Sequence, residues 1–153
     1  MDLLKSSIIL IGLVVLFLSI FGLPKLAAYS ASANPEFAYL RWPVLFGLYL
    51  TEIPFYLALY HSIRLVGFID QETAFSKEAV NKLKLIKINA WSITLMYLAG
   101  AILLLTQKAM HPGVAIIWGI IIFASVIISV FASVLQGLLS HASALKYEND
   151  QTV

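Results

Sequence analysis

Residues 114–139 read V-A-I-I-W-G-I-I-I-F-A-S-V-I-I-S-V-F-A-S-V-L-Q-G-L-L, twenty-six positions without a single charge. Crossing the hydrocarbon core of a bilayer takes about 20 apolar residues in a helix, so this stretch is long enough to span. Three further stretches have the same character: residues 6–28, 42–64 and 89–105. The third is near the short limit and can borrow length from the amphipathic segment before it. Of the 153 residues, 61% are hydrophobic and 12% charged, against about 25% charged in an ordinary soluble domain. A water-soluble fold of this size cannot hide so much apolar surface, and the solvent for most of the chain is lipid. The expected architecture is all-α: an integral membrane bundle of four transmembrane helices forming one domain over residues 1–153. Too little chain remains for a separate soluble domain.

The start, Met1–Asp2–Leu3–Leu4–Lys5 ahead of an apolar run, resembles a signal peptide, and residues 24–31 carry a weak small-residue cleavage pattern. The apolar run over 8–23 exceeds a typical signal core, however, and a retained first span is expected. Basic residues set the orientation. With loops assigned to alternate sides, Lys5, Arg64, Lys77, Lys82, Lys84, Lys87 and Lys146 share one face, and Lys25, Arg41 and Lys108 the other. Seven of the ten on one side make that side cytoplasmic by the positive-inside rule, with both termini inside. The outer connections are then short (residues 29–41 and 107–113), and Tyr29, Tyr39, Trp42 and Trp118 fall where amphipathic rings favour the outer interface.

The sizeable inner connection, residues 65–88, carries a helical pattern. Phe75, Ala79, Leu83, Ile86 and Ala90 recur at steps of four, four, three and four, one face of a helix. Lys77, Lys82, Lys84 and Lys87 occupy the rest. Ser76 suits an N-cap and Glu78 the first turn. No Gly or Pro interrupts residues 77–99, so one helix should run from the connection into the third span, its lysines against anionic headgroups.

Chemistry is sparse. Cysteine is absent, which excludes disulfides and thiolate sites. The histidines, His61, His111 and His141, lie at different ends and have no metal spacing. There is no G-x-S-x-G, P-loop or G-x-G-x-x-G element. No catalytic residue, metal or cofactor is expected, and the net charge of +2 is too small for direct nucleic-acid binding. Glu52 is the anomaly. It lies close to the middle of the second span, where a carboxylate costs several kcal/mol unless paired, hydrated or protonated. Pro54 cannot donate to the carbonyl of Leu50, which predicts a kink and a free acceptor beside it. Glu52 reads either as a proton-responsive or ligand-binding carboxylate or as a structural hydrogen-bonding hub. Expected partners lie on the third span, at Ser92, Thr94 and Tyr97, and on the fourth, where Ser125, Ser129, Ser133, Gln136 and Ser140 form a small polar stripe. Such a stripe more often packs helices closely than lines a path. Glu52, Pro54, Thr94 and Gln136 form the candidate intramembrane site.

The chain ends in A-L-K-Y-E-N-D-Q-T-V, residues 144–153, with Asn149 placed to stop the last helix. This ending resembles that of the YoaS-like family of small bacterial membrane proteins, a domain-of-unknown-function family with a terminal pattern close to L-K-x-E-N-D-x-T-V. Leu23–Pro24 closing the first span, and Phe75 followed by Leu83, Lys84 and Ile86, also match. The resemblance spans nearly the full length through the four-span layout, although only the tail is specific. It implies a membrane component, non-enzymatic and regulatory, of the bacterial inner membrane, paired with a small cytoplasmic helix-turn-helix regulator. It raises Glu148, Asn149, Asp150 and Thr152 as partner contacts, to which the basic helix before the third span adds Lys84 and Lys87. The basic helix and acidic tail are expected to pair with each other when no partner is bound. A homodimer is compatible with so thin a bundle. The alternative is a small transport or permeation protein built around Glu52.

Overall fold

The computed structural model describes residues 2–151. Four helices are long and apolar enough to cross a membrane: Asp2–Ala33, Pro35–Asp70, Lys77–Thr106 and Pro112–Gln151. No strand occurs among the described residues. The first span is composite. Helix α1 (Asp2–Phe17) passes through one π-helical turn, Leu18–Gly22, into α2 (Leu23–Ala33). Residues 29–41, expected as a connection, are mostly helical. After Asn34 a 3-10 turn, Pro35–Leu40, leads directly into α3 (Arg41–Asp70). Helices α4 (Lys77–Thr106) and α5 (Pro112–Gln151) complete the fold.

Each span packs antiparallel on its neighbour in the chain, and the extended contacts are α1 and α2 with α3, α3 with α4, and α4 with α5. The spans thus stand in chain order, and among the described residues no other span packs extensively on the outer flanks of the first and last. Large apolar side chains such as Leu10, Phe17, Phe46, Ile102, Ile116 and Phe123 are at least half exposed. In water that surface would be prohibitive, whereas against lipid tails it costs nothing.

The α4–α5 seam shows why small residues matter. On α4, Ala79, Leu83, Ile86, Ala90, Thr94 and Tyr97 are buried. On α5, Ser125, Ser129 and Ala132 face them, with Leu139 packed against the Leu83–Ile86–Ala132 cluster. Every step on α4 is three or four residues, the spacing of helix packing along one apolar face. Ser133 and Ser140 fall off this seam and are exposed, so the predicted five-residue polar stripe is buried only in its first half. Lys77–Thr106 is one continuous helix, and Ser76 caps it by accepting from the Ala79 amide at 3.2 Å. Its apolar face is covered by protein and not by the membrane surface.

Both α3 and α4 end in a Schellman turn without glycine. Thr73 N–H donates to Phe68 O at 2.7 Å and Glu72 N–H to Ile69 O at 3.1 Å; Ala109 N–H donates to Leu104 O at 2.8 Å and Lys108 N–H to Leu105 O at 3.1 Å. Glu72 and Lys108 therefore take positive φ, 58° and 57°, a conformation that costs a residue with a Cβ about 1–2 kcal/mol. The two ends of the fold are further tied by Lys5–Asp70 at 3.4 Å and by the Tyr39 hydroxyl donating to Gln107 at 2.7 Å.

Candidate functional site

Tyr49, Glu52 and Tyr56 recur at i, i+3 and i+7, so all three project from one face of α3 toward the first span. There they meet Gly12 and Ser19, seven residues apart and small enough for close approach. A Cβ at Gly12 would stand 3.2 Å from Leu59 Cδ1. The Tyr56 hydroxyl donates to Gly12 O at 2.8 Å and the Tyr49 hydroxyl to Ser19 O at 2.7 Å. The second bond has a cause in the sequence. In the π turn the Leu23 amide bonds to Leu18 O, five residues back. The next bond of that register would run from residue 24 to Ser19 O, but Pro24 has no N–H. The carbonyl of Ser19 is left open, and Tyr49 fills it.

The Ser19 hydroxyl donates to Glu52 Oε1. It also lies 2.7 Å from Val15 O, so it has two acceptors for one hydrogen. Glu52 has no other hydrogen-bond partner and no ion pair among the described residues. It lies about 17 Å along α3 from Arg41, beside a groove of about 480 Å³ lined by Leu16, Tyr49, Ile53, Tyr56 and Leu57. Its lining comes from the first two spans alone, Leu16 from α1 and the rest from α3.

The four residues of the expected intramembrane site do not converge. Glu52 faces the first span and not the third and fourth. Pro54 is buried inside an unbroken α3, and the backbone irregularity falls on the first span, opposite Glu52. Thr94 belongs to the other interface: its hydroxyl is 2.6 Å from Ser125 Oγ and bonds back to Ala90 O at 3.1 Å. Ser92 bonds back to Ile88 O in its own helix. Gln136 is half-buried farther along α5. Between the two clusters stands Thr51, whose Oγ1 is 3.5 Å from the Tyr97 hydroxyl. Ser19 and the two tyrosines were missed from sequence, although the Tyr49–Glu52–Tyr56 spacing and Pro24 after Ser19 carried the signal. Trp118, expected at the interface, turns inward and donates to Tyr97 O at 2.8 Å.

At the other end, α5 runs through Asn149 to Gln151, so Asn149 does not stop the helix. Thr94 level with Ser125 puts Lys77 level with about residue 142, and the end of α5 extends past α4 by about 14 Å. Glu148 and Asp150 are exposed on this extension; Thr152 lies outside the described residues. Lys82, Lys84 and Lys87 form no ion pair with any acid among the described residues. Among the described residues no ion pair joins Glu148 or Asp150 to these lysines, because helical continuity carries them beyond.

A family model described as "Protein of unknown function (DUF2975)" matches residues 25–153. The uncharacterized membrane protein YoaS of Bacillus subtilis (strain 168) is 46% identical over 152 residues, covering 98% of this chain and 95% of that protein. No solved structure gives a significant match. The chain belongs to the DUF2975 family and is a multi-pass membrane protein.

Proposed function

Starting from membership of this family, we propose that the protein is a non-enzymatic regulatory component of the bacterial cytoplasmic membrane. Both termini face the cytoplasm in this reading, as the seven-to-three distribution of basic residues favours. The protein holds a small cytoplasmic helix-turn-helix regulator, with Glu148, Asn149, Asp150 and Thr152 as one contact and Lys84 and Lys87 of α4 as the other. The observation that carries the reading is the helical end of α5, which stands clear of α4 with its acids exposed. A lone polar tail needs no such support, since chain ends are ordinarily loose. The uncovered flanks of α1 and α5 leave room for a second copy in the membrane.

The test is a crosslinked pull-down of the tagged protein from native membranes, intact against a form lacking residues 147–153. A small DNA-binding protein recovered only with the intact tail supports the reading. Recovery of no tail-dependent partner contradicts it. The Glu52 groove favours a second reading, a small permeation protein, in which Glu52→Gln changes proton or solute flux in liposomes. Against it, the groove is lined by the first two spans alone, and the Thr94–Ser125 cluster lies beyond α3 on the α4–α5 seam.

A further inference from the structure

A second cavity, of about 310 Å³, lies between α3 and α4 toward the Arg41 end of α3. Its walls come from Pro43, Gly47 and Thr51 on α3, Met96 and Tyr97 on α4, and Trp118 on α5. The lining is almost wholly apolar, and exposed residues of the membrane-spanning stretches, such as Leu50 and Leu103, edge it. The size is at the lower end for small-molecule sites. Two features build it. The Trp118 indole is fixed by its bond to Tyr97 O and by an edge-on contact with the Tyr97 ring at 5.1 Å. It fills the space over Gly100, where a Cβ would stand 3.1 Å from Trp118 Cζ2. Over Gly47 the space is empty, with no heavy atom within 4 Å of a Cβ placed there.

The cavity has one polar feature with capacity to spare. The Thr51 hydroxyl donates to Leu48 O at 2.7 Å, which uses its only hydrogen. The buried Tyr97 hydroxyl has Thr51 Oγ1 as its side-chain partner, 3.5 Å away, too long for a good hydrogen bond. The Tyr97 O–H is therefore a donor beside apolar space, without a close acceptor. Tyr97 lies about 14 Å along α4 from Thr106, roughly mid-depth in a core about 30 Å thick. The ester oxygens of a phospholipid stay at headgroup level, well short of this depth.

We propose that this cavity binds a small, uncharged, mainly apolar molecule dissolved in the bilayer, carrying one oxygen acceptor for the Tyr97 hydroxyl. Charged ligands are disfavoured, since no charged side chain lines the space. A medium-chain alkanol has this chemistry and serves as the probe.

The experiment uses the full-length protein in phosphatidylcholine vesicles and a diazirine-bearing octanol, with the labelled residues mapped by mass spectrometry. Labelling should concentrate around Gly47 and Met96 and be displaced by excess octanol. Gly47→Leu, which fills the open space, should abolish it. Tyr97→Phe should weaken binding about two- to tenfold, the worth of one hydrogen bond. Gly119→Leu, on an open face of α5, should leave labelling unchanged. Ala99→Phe fills the same space from α4 and decides the matter if Gly47→Leu fails to fold. Labelling that is spread over lipid-facing positions, and indifferent to both filling variants, overturns the site. Labelling blocked by filling but unchanged in Tyr97→Phe overturns the role of the hydroxyl.

Discussion

Ser19→Ala should destabilise the protein more than Glu52→Leu, although serine is much the smaller polar group. The asymmetry follows from the donor count. The Ser19 hydroxyl has two acceptors, Glu52 and Val15 O, and keeps one when Glu52 is removed. Among the described residues Glu52 has Ser19 as its only hydrogen-bond partner, and it keeps none when the hydroxyl is removed. A polar group stranded in an apolar setting costs about 1–3 kcal/mol, more if charged. Hydrogen bonds between membrane helices average about 0.6 kcal/mol and reach about 1.7. Ser19→Ala is therefore expected to cost about 1–3 kcal/mol. Glu52→Leu should cost under about 1 kcal/mol, because it removes the stranded group with the bond. The double variant should resemble Glu52→Leu alone. The assay is a double-mutant cycle by steric-trap unfolding in bicelles, which isolates the coupling between the two side chains. A Ser19→Ala variant as stable as the parent, with Glu52→Leu clearly worse, would refute the reasoning, for Glu52 would then have another partner.

Other expectations follow from local geometry. Lys108→Gly and Glu72→Gly should each stabilise the protein by about 1 kcal/mol, since glycine takes positive φ without penalty; thermal unfolding in detergent measures both. Gly12→Leu should cost about 1–3 kcal/mol by wedging the first span off α3, whereas Gly12→Ala should cost far less, because the atom it meets is the movable tip of Leu59. Ser76→Ala should cost about 1 kcal/mol and speed hydrogen exchange in the first turn of α4, at Ala79 and Val80.

The four apolar stretches were legible because lipid as solvent demands continuous runs, and such runs survive any packing arrangement. The start of α4 was legible for a local reason: a cap at Ser76 and an apolar repeat that needs no tertiary information. The surroundings of Glu52 were not. The sequence shows a carboxylate at membrane depth, but which neighbour meets it depends on how the helices are arranged. The hydroxyls of the third and fourth spans, Thr94 and Ser125 among them, looked like the natural partners, and they pointed the wrong way. The π turn decided otherwise by rotating Ser19 toward α3, and its trace in the sequence is one proline five residues later. Asn149 misled for the opposite reason: it stops many helices, but here α5 continues past it.

The absence of cysteine makes single-cysteine labelling the most direct test of the central claim, that the exposed end of α5 and the lysine-bearing start of α4 face the cytoplasm together. Glu148→Cys and Ala74→Cys should react with a membrane-impermeant maleimide only after cells are permeabilised, whereas Glu36→Cys and Lys108→Cys should react in intact cells. Labelling of Glu148→Cys in intact cells would put the tail outside and contradict the account.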